Sequence, residues 1–318
     1  MRLHKDEWTL RHLQEHLQYA VDLEFWTIPF YMSALYSITD RSSEAFQLIQ
    51  SVVNQEMLHV QLASNIANAY GLSPDFRTPV YHGQHVPHLD FRLDTPSPVA
   101  EYSPYSAEIG PLDLERVNAM CLIEYPAWAG TEQPDLHDNV KEYANIGDFY
   151  YAVAYGARQL KAHVRGGINQ VDHFSAYYRN MPSLIVSESG DAGFNQIDLL
   201  IQTITDQGEG VSQADESITY VFQNTATDSA PELDHYDKFR KVREALTSVE
   251  TYARKPESDY TPEDQQRLAI LQEHFSDFRH ALKQLFAGQN PDNFVSLMIT
   301  VGADIQNCWK NGVTPRFA

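Results

Sequence analysis

The chain has 318 residues, with 23 Lys and Arg against 43 Asp and Glu and a formal charge of −20 at pH 7. That balance makes nucleic acid and anionic membrane poor partners, and the length is ample for one large core. The opening MRLHKDEW lacks a basic-then-apolar leader, no apolar run approaches a membrane span, and Cys121 and Cys308 share no metal or redox spacing. These features predict a soluble cytoplasmic protein with two free core thiols.

The first predicted element is a long helix near 9–38, in which Leu13, Leu17, Val21, Ile28 and Leu35 recur at helical spacing. Glu24 lies in the middle of it, either at the edge of the apolar stripe or turned inward as a ligand. Pro29 should bend the helix nearby, Tyr31 should face the same cavity as Glu24, and Trp26 is a candidate for pocket lining or electron delivery. The second helix, near 43–70, is capped by Ser42 or Ser43 and stopped by Gly71 and Pro74. It contains Glu56 and His59, three residues apart on one face among Val52, Val60, Ala63 and Ile66. A buried carboxylate there needs a polar partner or a metal, because desolvating it alone costs several kcal/mol.

Residues 72–193 form a loop-rich insertion. Its first part, to about 111, is rich in Pro, His, Ser and Tyr and reads as a long loop or lid. His82, His85 and His88 in that loop tempt a metal reading but lack acidic partners. Phe91 to Leu93 and Leu184 to Val186 are candidate short strands, and helices are expected over Leu112 to Pro126 and Ile146 to Val164. Glu124 is the most buried-looking carboxylate of the former, either supporting a metal site or forming a surface pair.

The third bundle helix is expected near 194–210 and ends on Gly208, Glu209 and Gly210. Glu209 reads as a ligand by its place in the chain order, or as a solvated turn residue if Gly208 ends the helix. A fourth helix near 230–252 carries a second Glu-x-x-His, Glu232 and His235. Glu232 has a competing role, because Ser229 to Glu232 also matches a capping box. Helices at Pro262 to Phe286 and Asp292 to Lys310 complete the chain, within the 262–310 region.

One Glu from each of two helices and a Glu-x-x-His from each of two more is the donor set of carboxylate-bridged dinuclear bundles. Four carboxylates carry −4, which two divalent cations balance. The prediction is therefore an all-α, ferritin-like four-helix bundle in a single domain, 1–318. Its metal ligands would be Glu24, Glu56, His59, Glu209, Glu232 and His235, with Glu24, Glu56, Glu209 and Tyr31 as the catalytic set. Two iron ions are expected, with manganese or a mixed Fe/Mn pair as the other options.

VDLEFWTIPFYMSALYSI, NQEMLHVQLASNIANAYG, IGDFYYAVAYGARQL, ITDQGEG and ELDHYDKF, in that order, resemble the ferritin-like domain family typified by the iminophenyl-pyruvate dimer synthases. The resemblance runs from about residue 9 to 310. Those synthases are longer, with a haem-binding region that has no counterpart in this sequence. The resemblance implies the same bundle, the same six ligands and a setting in bacterial specialised metabolism. The leading expectation is a non-haem di-iron oxidase or oxygenase that takes O2, a small, amino-acid-derived substrate and an electron donor, with a homo-oligomer among the options. The competing expectations are an iron-binding or iron-oxidising protein without an organic substrate, and a metal-bearing structural or binding module.

Overall fold

The structure, a computed structural model, describes residues 7–93, 96–126, 136–174, 183–208, 228 and 230–318. Among them are eight α-helices and no strand: α1 (Leu10–Ser37), α2 (Glu44–Ala69), α3 (Leu114–Ile123), α4 (Ile146–Gln159), α5 (Gly190–Gly208), α6 (His235–Ala245), α7 (Pro262–Phe286) and α8 (Phe294–Lys310). The expected strands at 91–93 and 184–186 are a turn and irregular backbone. The only β-type pairs among the described residues are isolated bridges, such as Leu89 with Tyr143.

Local chemistry explains the helix limits. Thr9 accepts from the His12 N–H to cap α1, Ser43 accepts from Phe46 to cap α2, and Thr261 forms a reciprocal capping box with Asp264 at α7. Gly71 has φ 75° just past α2, and the Leu72 N–H returns to the Ala67 carbonyl at 2.9 Å, a glycine-dependent stop. Helix α1 runs through Pro29 without interruption. The fourth bundle helix is shorter than its apolar pattern suggests, because Asp234 caps it and accepts from the Asp237 N–H. Residues 230–234 are therefore turn and cap, and a 3-10 turn over 246–248 follows the helix.

Helix α2 is the axis of the fold. It packs along α1 on one side and against α5 and α6 on others, while α3 lies on α6, α4 bridges α1 and α5, and α8 pairs with α7 and reaches α1. One continuous apolar core links these elements. The insertion is fastened to the first two helices through polar side chains. Trp26 Nε1 donates to the Val80 carbonyl at 2.9 Å, and the Tyr81 hydroxyl donates back to the Trp26 carbonyl at 2.9 Å. From α2, Asn65 Nδ2 donates to the carbonyls of Val171 and Leu184 at 2.8 and 3.1 Å, and Gln61 Oε1 accepts from the N–H groups of His173 and Phe174 at 2.9 and 3.0 Å. Buried loop backbone must find such partners. Both cysteines are buried and free, and no helix among the described residues is long and apolar enough to cross a membrane.

Candidate metal centre

Four elements converge on one buried polar cluster. Helix α1 supplies Glu24, α2 supplies Glu56 and His59, the C-terminal end of α3 supplies Glu124, and the first turn of α6 supplies His235; each is at most 2% exposed. Such a group of carboxylates in a core demands compensation, because effective penalties are several kcal/mol per buried ion.

The two imidazoles are arranged alike. His59 Nδ1 lies 3.4 Å from Glu24 Oε2 and 3.6 Å from Glu56 Oε1. His235 Nδ1 lies 3.0 Å from the same Glu56 oxygen and 3.3 Å from Glu124 Oε2. The far nitrogens meet amide oxygens: His59 Nε2 is 2.9 Å from Gln207 Oε1, and His235 Nε2 is 3.1 Å from Gln55 Oε1. An amide oxygen accepts only, so each Nε2 carries a proton and each Nδ1 is left to take an ion or a second proton. The rings lie 5.4 Å apart and nearly parallel.

The carboxylates are held as firmly. Tyr150 donates to Glu24 Oε1 at 2.5 Å, Tyr31 donates to Glu124 Oε1 at 2.5 Å, and Thr27 donates to Glu56 Oε2 at 2.6 Å. Each glutamate thus has one oxygen tied to a hydroxyl and the other turned to the histidines.

Burial, then the neighbouring Glu124 charge, pushes Glu56 above the usual carboxylate range, with His235 pulling the other way. Burial works against protonation of both histidines, yet the carboxylates around them outweigh it. Glu24 and Glu56 raise His59, and Glu124 and Glu56 raise His235 to about 9. Without a metal the cluster therefore uses protons as its counter-charge. Burial and the charges of Glu124 and Glu56 raise the Tyr31 phenol well above 10, so it remains a donor.

The structure brings Glu24, Glu56, His59 and His235 together, with Tyr31 hydrogen-bonded to Glu124 at the edge of the cluster. Glu209 lies outside the described residues, as does Ser229, but the residues just before Glu209 reach the cluster. Gln207 bonds His59, and a Cβ added to Gly208 would sit 3.5 Å from Glu124 Oε2. Glu232 is the correction. It is exposed in the turn before α6, outside the cluster, and Glu124 is the carboxylate beside His235. The i,i+3 rule holds only within a helix, and α6 starts at His235. Trp26 is fully engaged with the insertion and its neighbours Phe30 and Tyr81. In the histidine-rich loop, His82 and His85 are exposed and form a turn, while His88 is buried against Tyr19. Among the described residues, the ligand atoms of Glu56, His59 and His235 all lie within reach of one common ion, and Glu24 and Glu124 flank them beside His59 and His235.

Tyr150, Thr27, Gln55, Gln207 and Lys238 were not legible as site residues. Gln55 and Lys238 left a faint signal, as polar side chains on otherwise apolar helix faces.

The donor set fits a first-row divalent metal. Its carboxylates and imidazoles suit iron or manganese, both Nδ1 atoms face carboxylate oxygens, and the three described carboxylates bring −3 against a cation's charge. Glu56, His59 and His235 would hold the ion, with Glu24 beside His59 and Glu124 beside His235.

A Ferritin-like family model matches residues 17–244. The chain belongs to the ferritin-like family. Among solved structures it is similar to the crystal structure of a ferritin like protein from Caulobacter vibrioides, at 44% identity and a TM-score of 0.85, covering 98% of this chain and 99% of that one. No curated protein matches.

Proposed function

We propose that this chain is a non-haem, dinuclear-metal oxidoreductase, an oxidase or oxygenase that uses O2 on a small organic substrate. The observation that carries the reading is the single Glu56 oxygen facing both histidine Nδ1 atoms, at 3.6 and 3.0 Å. One carboxylate oxygen between two imidazoles, with Glu24 and His59 on one side and Glu124 and His235 on the other, supports a reading of two ions. Two iron ions, or manganese in one or both places, would supply O2 binding and electron transfer, with electrons coming from the substrate or from a separate donor.

The protein's own part is holding and shielding. Tyr150 and Tyr31 fix the outer carboxylates and leave one oxygen of each for an ion, while Thr27 does the same for Glu56. Gln207 and Gln55 fix the imidazole tautomers. The insertion is fastened to α1 and α2 through Trp26, Gln61 and Asn65, and the cluster side chains are buried away from bulk water. That long cover supports an enzyme over an iron store, since storage needs no pocket shaped above the ions. The sequence resemblance further supports an amino-acid-derived substrate in specialised metabolism.

The test is anaerobic loading with Fe(II), metal counting, and then exposure to O2 under optical and Mössbauer spectroscopy. Two irons per chain, coupled in the oxidised form, are expected, together with O2 consumption linked to oxidation of an added small molecule. One iron or none per chain would overturn the dinuclear reading. Accumulation of a mineral core would favour the iron-oxidising alternative.

A further inference from the structure

Behind His235 lies a buried charged pair that metal binding does not by itself explain. Lys238 is on α6, one turn after His235, and its side chain is fully buried. Its Nζ is 2.9 Å from Asp228 Oδ2, which is also fully buried, and 3.2 Å from Gln55 Oε1. That same Gln55 oxygen meets His235 Nε2 at 3.1 Å.

These contacts fix an order of proton positions. An ammonium has only donors, so Gln55 must turn its oxygen, not its amide nitrogen, toward Lys238. The oxygen then also faces His235 Nε2, which must carry the hydrogen. His235 Nδ1 is left as the lone-pair atom, pointing at Glu56 and Glu124. Asp228 offsets the lysine charge, without which a buried ammonium would be unfavourable.

Resting on the dinuclear reading above, we infer that Lys238 is a positioning residue: it acts through Gln55 to lock His235 in its metal-binding tautomer and to make the His235 side the weaker of the two metal subsites. A carboxylate behind a histidine ligand raises the basicity of the ring. An amide oxygen already engaged by an ammonium does the opposite, since it draws less on the Nε2–H bond and leaves Nδ1 a poorer donor. The two subsites, alike in their direct donors, then differ in affinity and fill in sequence.

The experiment uses the full chain and Co(II) as an anaerobic optical probe. Wild-type protein should bind two Co(II) per chain in two resolvable steps. Lys238→Met keeps the volume of the lysine stem but removes the charge, and should tighten the weaker step by about tenfold, the low end of effects from groups behind a ligand. The tighter step should stay in place. Gln55→Glu, which places a carboxylate behind His235, should tighten the same step. A merely structural role for Lys238 predicts weaker binding in both variants. Unchanged or weakened second steps would overturn the inference, and if Lys238→Met does not fold, Gln55→Glu decides it by the same criterion. Failure of the wild-type protein to bind a second Co(II) would instead sink the dinuclear reading.

Discussion

The hydroxyl of Tyr31, on α1, donates to Glu124 Oε1 at 2.5 Å across 93 positions of sequence. The tyrosine therefore orients a carboxylate of the site rather than facing an open cavity, and its ring packs edge-on against Phe239 at 4.9 Å. Tyr31→Phe keeps that packing and deletes only the hydrogen bond. Glu124 loses its orientation, so affinity on the His235 side should fall by about tenfold while the protein remains folded. Competition for Co(II) against a chelator measures it, and unchanged affinity would mean that Glu124 needs no support.

Glu124 and Glu232 offer a direct contrast. Glu124 is buried beside His235, whereas Glu232 is exposed. Glu124→Gln should reduce bound metal to at most one ion per chain, because a neutral amide cannot replace the charge. Glu232→Gln should leave metal content unchanged and move stability by less than about 0.5 kcal/mol. Metal counting on the two purified variants separates them, and loss of metal from Glu232→Gln would restore that residue to the ligand set.

In the metal-free protein, His59 and His235 have folded-state pKa values above the ordinary 6.5. Their stabilisation is present below 6.5 and is lost as pH rises through the folded values, about 9 for His235. Glu56 is raised too. Its folded form keeps a proton that the unfolded chain has released, so it also favours the fold on the acidic side. All three signs agree, and the metal-free protein should melt at a higher temperature at pH 6.5 than at pH 9. Bound metal replaces those protons and should flatten the trend. Melting curves of both forms across this range check it; a metal-free protein more stable at pH 9 would show that the cluster does not hold protons.

A second pH effect lies away from the metals. His16 is fully buried, its Nδ1 donating to the His12 carbonyl at 2.8 Å and its Nε2 accepting from the Tyr143 hydroxyl at 3.0 Å. Burial lowers its pKa to about 4. The unfolded chain takes up this proton from pH 6.5 downward and the folded chain does not, so stability is lost as pH falls from 6.5 toward 4, by about 2 kcal/mol at pH 5. His16→Gln should melt lower at neutral pH but decline less steeply on acidification. Asp22 and Asp234, each raised to about 6 by burial, act in the opposite sense in both proteins, so the difference in slope isolates His16. Equal slopes would disprove its part.

The long helices were legible because their apolar stripes persist over many turns, and Glu56 with His59 because both lie well inside one. The error at Glu232 came from treating Glu-x-x-His as a helical motif where the helix had not begun, since the cap at Asp234 decides the start and its hydrogen bond is invisible in a list of residues. Glu124 was visible as a buried-looking carboxylate that either supports a metal site or forms a surface pair, but not as the partner of His235, because it comes from the end of a ten-residue helix inside the insertion. The hydroxyl and amide partners were illegible for a similar reason. Tyr150 reaches Glu24 over 126 positions and Gln207 reaches His59 over 148, and only the packing of α4 and α5 against α1 and α2 brings them together.

Helix α2 holds Glu56 and His59 in the buried cluster and, two and six residues past His59, Gln61 and Asn65 for the backbone at 171–174 and 184. These two sets are phased against each other by the helix repeat alone. One residue added or removed between His59 and Gln61 would rotate one set relative to the other by about 100°, tearing the cover from its supports or turning the ligands out of the cluster. Side chains along this stretch can be exchanged one at a time with graded effects, but its length cannot change by a single residue without dismantling the centre.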